Sequence, residues 1–125
     1  MNFTNPLNGT GIVTSRYGIR SRNNHKGIDI GAPTGTPIYA AEDGIVTFVG
    51  WYGGYGNLIK VQHANGYETY YGHCSSIVTS AGATISKGDL IGYVGSTGNS
   101  TGPHLHFEVR VNGVNYNPEG FISVN

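Results

Sequence analysis

Residues 98–110 join a run of turn-forming residues to a stretch in which polar and apolar side chains alternate. A Gly-Pro pair restricts the backbone in this segment, so a strand is expected to begin at His104. Because side chains alternate across a strand, Leu105 and Phe107 are predicted on a packed face, and His104 and His106 on the opposite face. The two imidazoles would lie about 7 Å apart at the backbone. Such a pair suits one metal ion, a metal ligand beside a base, or two unrelated histidines.

Glycine content and the lack of helical periodicity predict an all-β chain. The 125 residues include 21 Gly, 9 Tyr and 5 Pro, and only 11% are charged. No window sustains the apolar spacing of a helix. The length is typical of one domain, so residues 1–125 are predicted to form a single compact antiparallel β-sheet domain with short strands and glycine-rich loops.

The balance of charges and the single cysteine argue against a nucleic-acid partner and against an intrachain disulfide. The 7 basic and 7 acidic residues cancel, which gives no support for a nucleic-acid partner. Cys74 is the one cysteine of the chain, so no intrachain disulfide can form. Next to His73 in a strand it would face the opposite way, which predicts a small buried thiol rather than a Cys/His dyad.

No apolar run is long enough to span a membrane, and the N-terminus lacks a signal-peptide pattern, so membrane insertion is not expected.

An aromatic and glycine-rich loop follows a predicted strand at residues 44–50. Its sequence, Trp-Tyr-Gly-Gly-Tyr-Gly at residues 51–56, allows two interpretations. The loop is either a surface hairpin with partly buried rings or, through Trp51 and Tyr55, one wall of a groove for an extended substrate with small side chains. Residues 75–83 are predicted to be a loop with a short extended piece at 77–79.

An Asn-Gly turn signal between two strand-like runs predicts a hairpin over residues 57–73. A three-residue loop would place Ile59 opposite Tyr71, whereas a two-residue loop would shift the pairing by one. In either register Tyr71 and His73 share a face with Tyr67 and Thr69. His63, at the turn end, is predicted to lie on the surface.

His25 and Asp29 stand four positions apart in a stretch where glycine and proline disfavour a helix. A straight strand would separate them by about 13 Å, too far to share an ion at bonding distances of roughly 2 Å. If they bind the same ion, the chain must bend between them, and Gly27 is the expected hinge. Otherwise His25 is an exposed residue and Asp29 a structural one.

Three short patterns occur in order along the chain: His25-x-x-x-Asp29, Tyr71-x-His73 and His104-x-His106. The last lies within the longer run Ser96-Thr97-Gly98-x-x-Thr101-Gly102-Pro103-His104-Leu105-His106-Phe107-Glu108. Together with residues 15–20, 35–37, 87–92 and 117–118, the set resembles the LytM/lysostaphin-like zinc endopeptidases, the M23 peptidase family that cuts peptides in bacterial cell walls. The resemblance runs from about residue 8 to residue 122. It implies an M23 catalytic domain with the LytM/lysostaphin-type fold, which is similar to the duplicated hybrid motif.

The resemblance also implies a site. His25, Asp29 and His106 would be the ligands of one Zn²⁺ per chain, with the open fourth position that a catalytic zinc needs. His73 and His104 would be catalytic histidines beside the metal, and the sequence does not assign which of them is the base.

Three positions near the implied site carry further expectations. Tyr71 is expected to line the site from the face that it shares with His73, although packing in the core would explain the residue as well. Glu108 lies on the His106 face, where it could hold the second nitrogen of that ligand; a solvated strand residue is expected instead. Cys74 stands where the family commonly has an apolar residue such as leucine, but that position is expected to face away.

The implied function is zinc-dependent hydrolysis of peptide bonds in peptidoglycan cross-links or stem peptides, by a monomer acting at the cell wall or outside the cell. The resemblance leaves the bond class open, because members such as lysostaphin cut glycine bridges and others cut stem-peptide or cross-link bonds that involve D-amino acids. With no signal peptide, the chain is expected to be a domain of a larger secreted protein or a phage enzyme such as an endolysin.

Two alternatives to this function stay open. One is a non-catalytic LytM-like regulator or scaffold that binds wall components or a partner hydrolase. The other is a small β binding or carrier module that uses its histidines without metal.

Overall fold

Turns rich in glycine and asparagine divide the chain into short strands. The computed structural model describes residues 2–20 and 23–124. The strands of this part of the chain are β1 (Ile12–Ser15), β2 (Gly18–Arg20), β3 (Asn23–His25), β4 (Ile28–Gly31), β5 (Pro37–Tyr39), β6 (Gly44–Trp51), β7 (Asn57–Gln62), β8 (Tyr67–Ile77), β9 (Thr84–Ile85), β10 (Leu90–Val94), β11 (His104–Val111) and β12 (Val114–Tyr116). Single 3-10 turns cover Gly53–Tyr55, Ala64–Gly66 and Pro118–Gly120.

One antiparallel sheet contains most of these strands, and β11 lies inside it between β4 and β8. The order is β1-β4-β11-β8-β7-β6-β9, with β12 paired to β11 and with β10 paired to β8 and β5. The strands β2 and β3 form a separate two-stranded sheet. The predicted all-β class is therefore confirmed. Because β11 hydrogen-bonds to a strand on each side, its side chains are held on both edges.

The alternation of β11 decides which side of the sheet is the core. Leu105, Phe107 and Val109 are fully buried on one face. The Phe107 ring packs against Tyr71 of β8 at 5.4 Å between centroids. Burying an apolar side chain of this size contributes about 1.5–3 kcal/mol, so the packed face fixes the strand and directs its intervening residues to the other side.

The predicted hairpin between β7 and β8 has the three-residue turn, the first of the two registers considered, but its register changes before the end of the sheet. Asn65 has a φ of 59° in the turn, and Ile59 lies opposite Tyr71, as a three-residue loop requires. Asn57 then lies opposite Cys74, because a bulge adds one residue to β8. His73, at φ 64°, is in the left-handed region within this bulge. The prediction that Tyr71 and His73 share a face is therefore wrong, since parity counts hold only for a regular strand.

Tyr71 belongs to the core and cannot contact a substrate, contrary to the prediction. Its side chain has no exposed surface. The Ala41 N–H donates to the Tyr71 hydroxyl oxygen at 3.1 Å, and that hydroxyl lies 2.7 Å from the Thr69 hydroxyl. Burial raises the pKa of Tyr71 to about 12, so its hydroxyl stays protonated.

His63 is also buried, although its place at the turn end predicted a surface residue. It is 5% exposed and packs against Phe3, with 5.2 Å between ring centroids. Its Nδ1 lies 2.7 Å from the Asp43 carbonyl oxygen and its Nε2 lies 2.8 Å from the Thr69 hydroxyl. This places the proton on Nδ1, with Nε2 accepting from threonine. Burial lowers the pKa of His63, and the hydrogen bond to Asp43 and the nearby carboxylates of Glu42, Asp43 and Glu68 oppose that shift.

The strand β8 continues further than predicted. Residues 75–77 were expected to begin a loop, but they extend β8 because β10 pairs with it at Tyr93–Ser76 and Gly92–Ile77. Cys74, which pairs with Val94 of β10, is fully buried, as predicted. Burial raises the pKa of the Cys74 thiol to about 12, which excludes a thiolate nucleophile at neutral pH.

Candidate metal centre

Two of the predicted metal ligands meet because β4 and β11 are neighbours in register. His106 lies directly opposite Asp29, and Leu105 opposite Ile30. The buried isoleucines on either side of Asp29 fix the orientation of β4, so the carboxylate lies on the face of the sheet opposite the core. The Asp29 Oδ1 atom is 2.8 Å from His106 Nδ1.

The third predicted ligand reaches the same point through the bend expected at Gly27. His25 ends β3, and its Nε2 atom lies 3.2 Å from Asp29 Oδ1. A Cβ atom at Gly27 would overlap the Phe107 carbonyl, so the close approach of the chain to β11 explains the glycine better than a special φ does. The His25 Nδ1 lies 3.0 Å from the Arg16 carbonyl oxygen and donates to it, which leaves Nε2 with a free lone pair.

These three residues fit a single metal ion. One donor atom from each of His25, Asp29 and His106 lies within 4.8 Å of the others. Two imidazole nitrogens and one carboxylate oxygen form a donor set that suits zinc and similar transition metals. Three protein ligands also leave room for a further ligand from the solvent or a substrate.

The local electrostatics favour a cation at this point. Although burial lowers it, hydrogen bonds to Asp29 and Glu108 raise the pKa of His106 to about 9. Burial raises the pKa of Asp29, but its hydrogen bond to His106 and the charges of the neighbouring histidines lower it overall. The carboxylates of Asp29 and Glu108 thus stabilise positive charge at His106, and either a proton or a metal ion could carry that charge.

The two predicted catalytic histidines lie beside this group, and each is oriented by the main chain. His73 Nδ1 is 2.6 Å from the Thr97 carbonyl oxygen, and His104 Nδ1 is 2.8 Å from the Gly102 carbonyl oxygen. The ring centroids of the two histidines are 4.6 Å apart. Burial lowers the pKa of His73, so its ring is neutral near pH 7. Since each Nδ1 donates to a carbonyl, Nε2 is the nitrogen that remains for a proton transfer.

A cleft of about 460 Å³ opens over these five residues. Its remaining lining consists of Gly54, Tyr55, Asn99, Ser100 and Thr101. Tyr55 therefore lies where a groove wall was predicted. Trp51 is 63% exposed and is not part of this lining.

Glu108 differs from its prediction as a solvated strand residue, since its side chain is completely buried. Its Oε2 atom accepts from His106 Nε2 at 2.7 Å and from the Tyr55 hydroxyl at 2.5 Å. Its Oε1 atom accepts from Arg110 at 2.7 Å. Burial raises the pKa of Glu108, but these hydrogen bonds lower it to about 2. The alternation of β11 indicates the shared face with His106, but not the distant partners that bury the carboxylate.

Comparison with known proteins decides the family. The family model for Peptidase family M23 matches residues 23–118. The chain belongs to this family. Its fold is likewise confirmed as the LytM/lysostaphin type. A mutant of the catalytic domain of the prophage-encoded M23 protein EnpA from Enterococcus faecalis superposes with a TM-score of 0.81 at 40% identity, covering 87% of this chain and 89% of that one. The catalytic domain of lysostaphin from Staphylococcus simulans superposes with a TM-score of 0.77 at 34% identity, covering 90% and 89%.

Several similar relatives of this M23 chain are named as peptidases. The DD-carboxypeptidase/endopeptidase Mpg of Neisseria meningitidis is 54% identical over 94 residues, which cover 75% of this chain and 22% of the relative. The peptidoglycan DD-endopeptidase ShyC of Vibrio cholerae is 44% identical over 94 residues, with the same coverage. This M23 chain thus spans about a fifth of the length of these relatives. In the described part of the chain, no helix has the length and apolar character needed to cross a membrane.

Proposed function

We propose that this M23 domain is a zinc endopeptidase that hydrolyses peptide bonds in bacterial peptidoglycan. The observation that supports it most strongly is the grouping of His25, Asp29 and His106, whose donor atoms lie within 4.8 Å of one another at the base of an open cleft. A closed structural zinc site would have four protein ligands, whereas three leave a position for chemistry. The proposal assigns one zinc ion to each chain.

His73 and His104 would move the protons of the reaction. When bound, zinc would act as a Lewis acid that lowers the pKa of a water molecule toward about 7. The neutral His73 has its Nδ1 proton committed to the Thr97 carbonyl, so its Nε2 can accept a proton from the attacking water. Once protonated, the same nitrogen can donate to the oxyanion. His104 has the same arrangement with the Gly102 carbonyl. The histidine that accepts the water's proton would then hold the proton that the leaving amine needs.

The names of the relatives support one class of bond. The relatives named as DD-peptidases are 44–54% identical to this chain, whereas the lysostaphin catalytic domain is 34% identical. We therefore assign to this chain cross-link or stem-peptide bonds that involve D-amino acids, rather than glycine bridges. Tyr55, with 5.6 Å between its ring centroid and that of His106, would contact the peptide beside the scissile bond.

The setting of the reaction is part of the proposal. We place residues 8–122 in one monomeric catalytic domain that acts at the cell wall or outside the cell. Gel filtration of the purified chain should give a mass near 13.2 kDa. A stable dimer in that measurement would contradict the monomer.

The test combines metal analysis with cleavage of two wall types. One zinc per chain is expected, together with release of new amino groups from directly cross-linked peptidoglycan and little release from glycine-bridged peptidoglycan. Asp29→Asn should lose both zinc and cleavage because the amide is a far weaker ligand. The control His63→Gln changes a histidine that lies in the core, so it should keep both.

Three outcomes would contradict parts of the proposal. Cleavage of the glycine-bridged wall alone would reverse the bond class. Full cleavage by Asp29→Asn would refute the site. Binding to peptidoglycan with neither zinc nor cleavage, even after zinc is added, would favour the regulator or scaffold alternative.

A further inference from the structure

The proposed ligand His106 has a partner for each of its two ring nitrogens. Its Nδ1 faces Asp29 at 2.8 Å, and its Nε2 faces Glu108 at 2.7 Å. A neutral imidazole carries one proton and one lone pair, and the partner of one nitrogen decides which nitrogen keeps the lone pair. Both partners are carboxylates, which can only accept. Because Asp29 is itself a proposed ligand, a metal ion would take the place of the proton on Nδ1, and Glu108 would keep the remaining proton on Nε2.

Donors from several parts of the chain hold the Glu108 carboxylate in place. Arg110 donates to Oε1 through Nε at 3.0 Å and through a terminal nitrogen at 2.7 Å. Asn115 donates to the same oxygen at 3.0 Å, and the Tyr55 hydroxyl donates to Oε2 at 2.5 Å. These donors satisfy a carboxylate that is otherwise costly to bury.

The same group of side chains also contacts the segment that contains the proposed ligand His25. Asn115 Nδ2 donates to the Lys26 carbonyl oxygen at 3.0 Å as well as to Glu108. Tyr55 lines the cleft, so the Oε2 atom of Glu108 joins the cleft wall to His106. The Glu108 carboxylate is therefore hydrogen-bonded to His106 and to Tyr55 of the cleft wall. Through Asn115 it is also connected to the segment that contains His25.

We propose that Glu108 is a positioning residue that sets the tautomer and ring orientation of His106 for metal binding. The inference rests on the proposed metal site and adds a residue that does not itself touch the ion. Partners of metal-bound histidines commonly change metal affinity by about 10–100-fold when they are replaced.

Glu108→Gln tests the tautomer directly, because it keeps the shape of the side chain. The Arg110 and Asn115 nitrogens that face Oε1 of Glu108 can only donate, so the amide oxygen of the new glutamine should face them. The amide NH₂ would then face His106 Nε2 and require it to be an acceptor. That moves the ring proton to Nδ1, the atom expected to bind the metal. We expect a zinc dissociation constant about 10–100-fold higher, measured by competition with a chelating dye.

The matched control is Thr69→Val, which removes a buried hydroxyl from the opposite face of the sheet. It should lower the melting temperature and leave the zinc dissociation constant within about twofold, as expected for a change that does not touch the ligands. The visible spectrum of the cobalt-loaded protein gives a second readout. It should change in Glu108→Gln and remain that of the wild type in Thr69→Val.

The outcomes separate this inference from the proposed function. A wild type that binds zinc, with Glu108→Gln weaker by tenfold or more, supports the positioning role. Equal zinc affinity and equal cobalt spectra in wild type and Glu108→Gln would overturn it, while the proposed function stands. A wild type that binds no zinc would overturn both.

Discussion

Gly98 joins the two loops that form the walls of the cleft. Its φ is 75°, and a Cβ there would lie 2.6 Å from the Gly54 carbonyl oxygen and would overlap the backbone of Gly56. The neighbouring Asn99 N–H donates to the same Gly54 oxygen at 2.9 Å. Gly98→Ala therefore requires the loops to separate.

The cost of Gly98→Ala can be worked out from these contacts. The left-handed backbone costs an L-residue about 1–2 kcal/mol, and loss of the Asn99 hydrogen bond adds about 0.5–1.5 kcal/mol. We expect the free energy of unfolding to fall by about 2–3 kcal/mol. At about 4 °C per kcal/mol for a domain of this size, the melting temperature should fall by about 8–12 °C.

The effect on catalysis should exceed the effect on metal binding. Thr97, adjacent to Gly98, orients His73 through its carbonyl oxygen, whereas the proposed zinc ligands lie on other segments. A displacement of about 1 Å in a catalytic group can lower the rate about 100-fold. We expect a loss of that size in kcat with the zinc affinity unchanged, measured by thermal unfolding, peptide release and dye competition.

Gly113→Ala is the matched control because Gly113 has a similar φ of 82° but nothing within 4 Å of its would-be Cβ. It should show only the backbone cost of about 1–2 kcal/mol, with normal kcat. If Gly98→Ala is no more destabilising than Gly113→Ala, the loop contact does not have the role described.

Three further predictions concern other parts of the molecule. His73→Ala and His104→Ala should each lower kcat by about 100-fold or more at saturating zinc while keeping the metal, and normal turnover in either would remove that histidine from the mechanism. Because the folded pKa of His63 is lowered from 6.5, the unfolded chain binds a proton that the folded chain does not, so stability should fall as the pH drops below about 6.5. Chemical denaturation at several pH values should show that fall reduced in His63→Gln; identical pH dependence would refute it. Leu105→Ala should cost about 2–5 kcal/mol in the free energy of unfolding because its side chain is fully buried, and a loss below about 1 kcal/mol would contradict that packing.

The sequence predicts the central strand of the site well because the signal is local. Alternation in β11 places Leu105 and Phe107 in the core and His106 on the opposite face, and the structure has this arrangement. The need for a bend near Gly27 follows from the reach of the chain between His25 and Asp29. The close contact with Phe107, which the sequence does not show, explains why this residue is a glycine.

The errors arise where distant parts of the chain determine the result. His73 lies in a bulge, and the one added residue removes it from the face that parity would have it share with Tyr71. Glu108 is buried because Tyr55, Arg110 and Asn115 converge on it, and no local pattern shows that convergence. His63 is buried because Phe3, from the start of the chain, packs against its ring.

The hydrogen bond between Asp29 and His106 closes a loop of 77 residues. A metal ion held by these two side chains would act as a cross-link between the early and late parts of the chain. Closing a long loop carries an entropy cost that must be met before the contact forms, so the complete site is expected late in folding. A ligand that binds only the folded state stabilises it by RT ln(1 + [L]/Kd), about 2.7 kcal/mol at 100 times Kd. Metal supply would therefore affect the stability of the fold as well as the proposed activity.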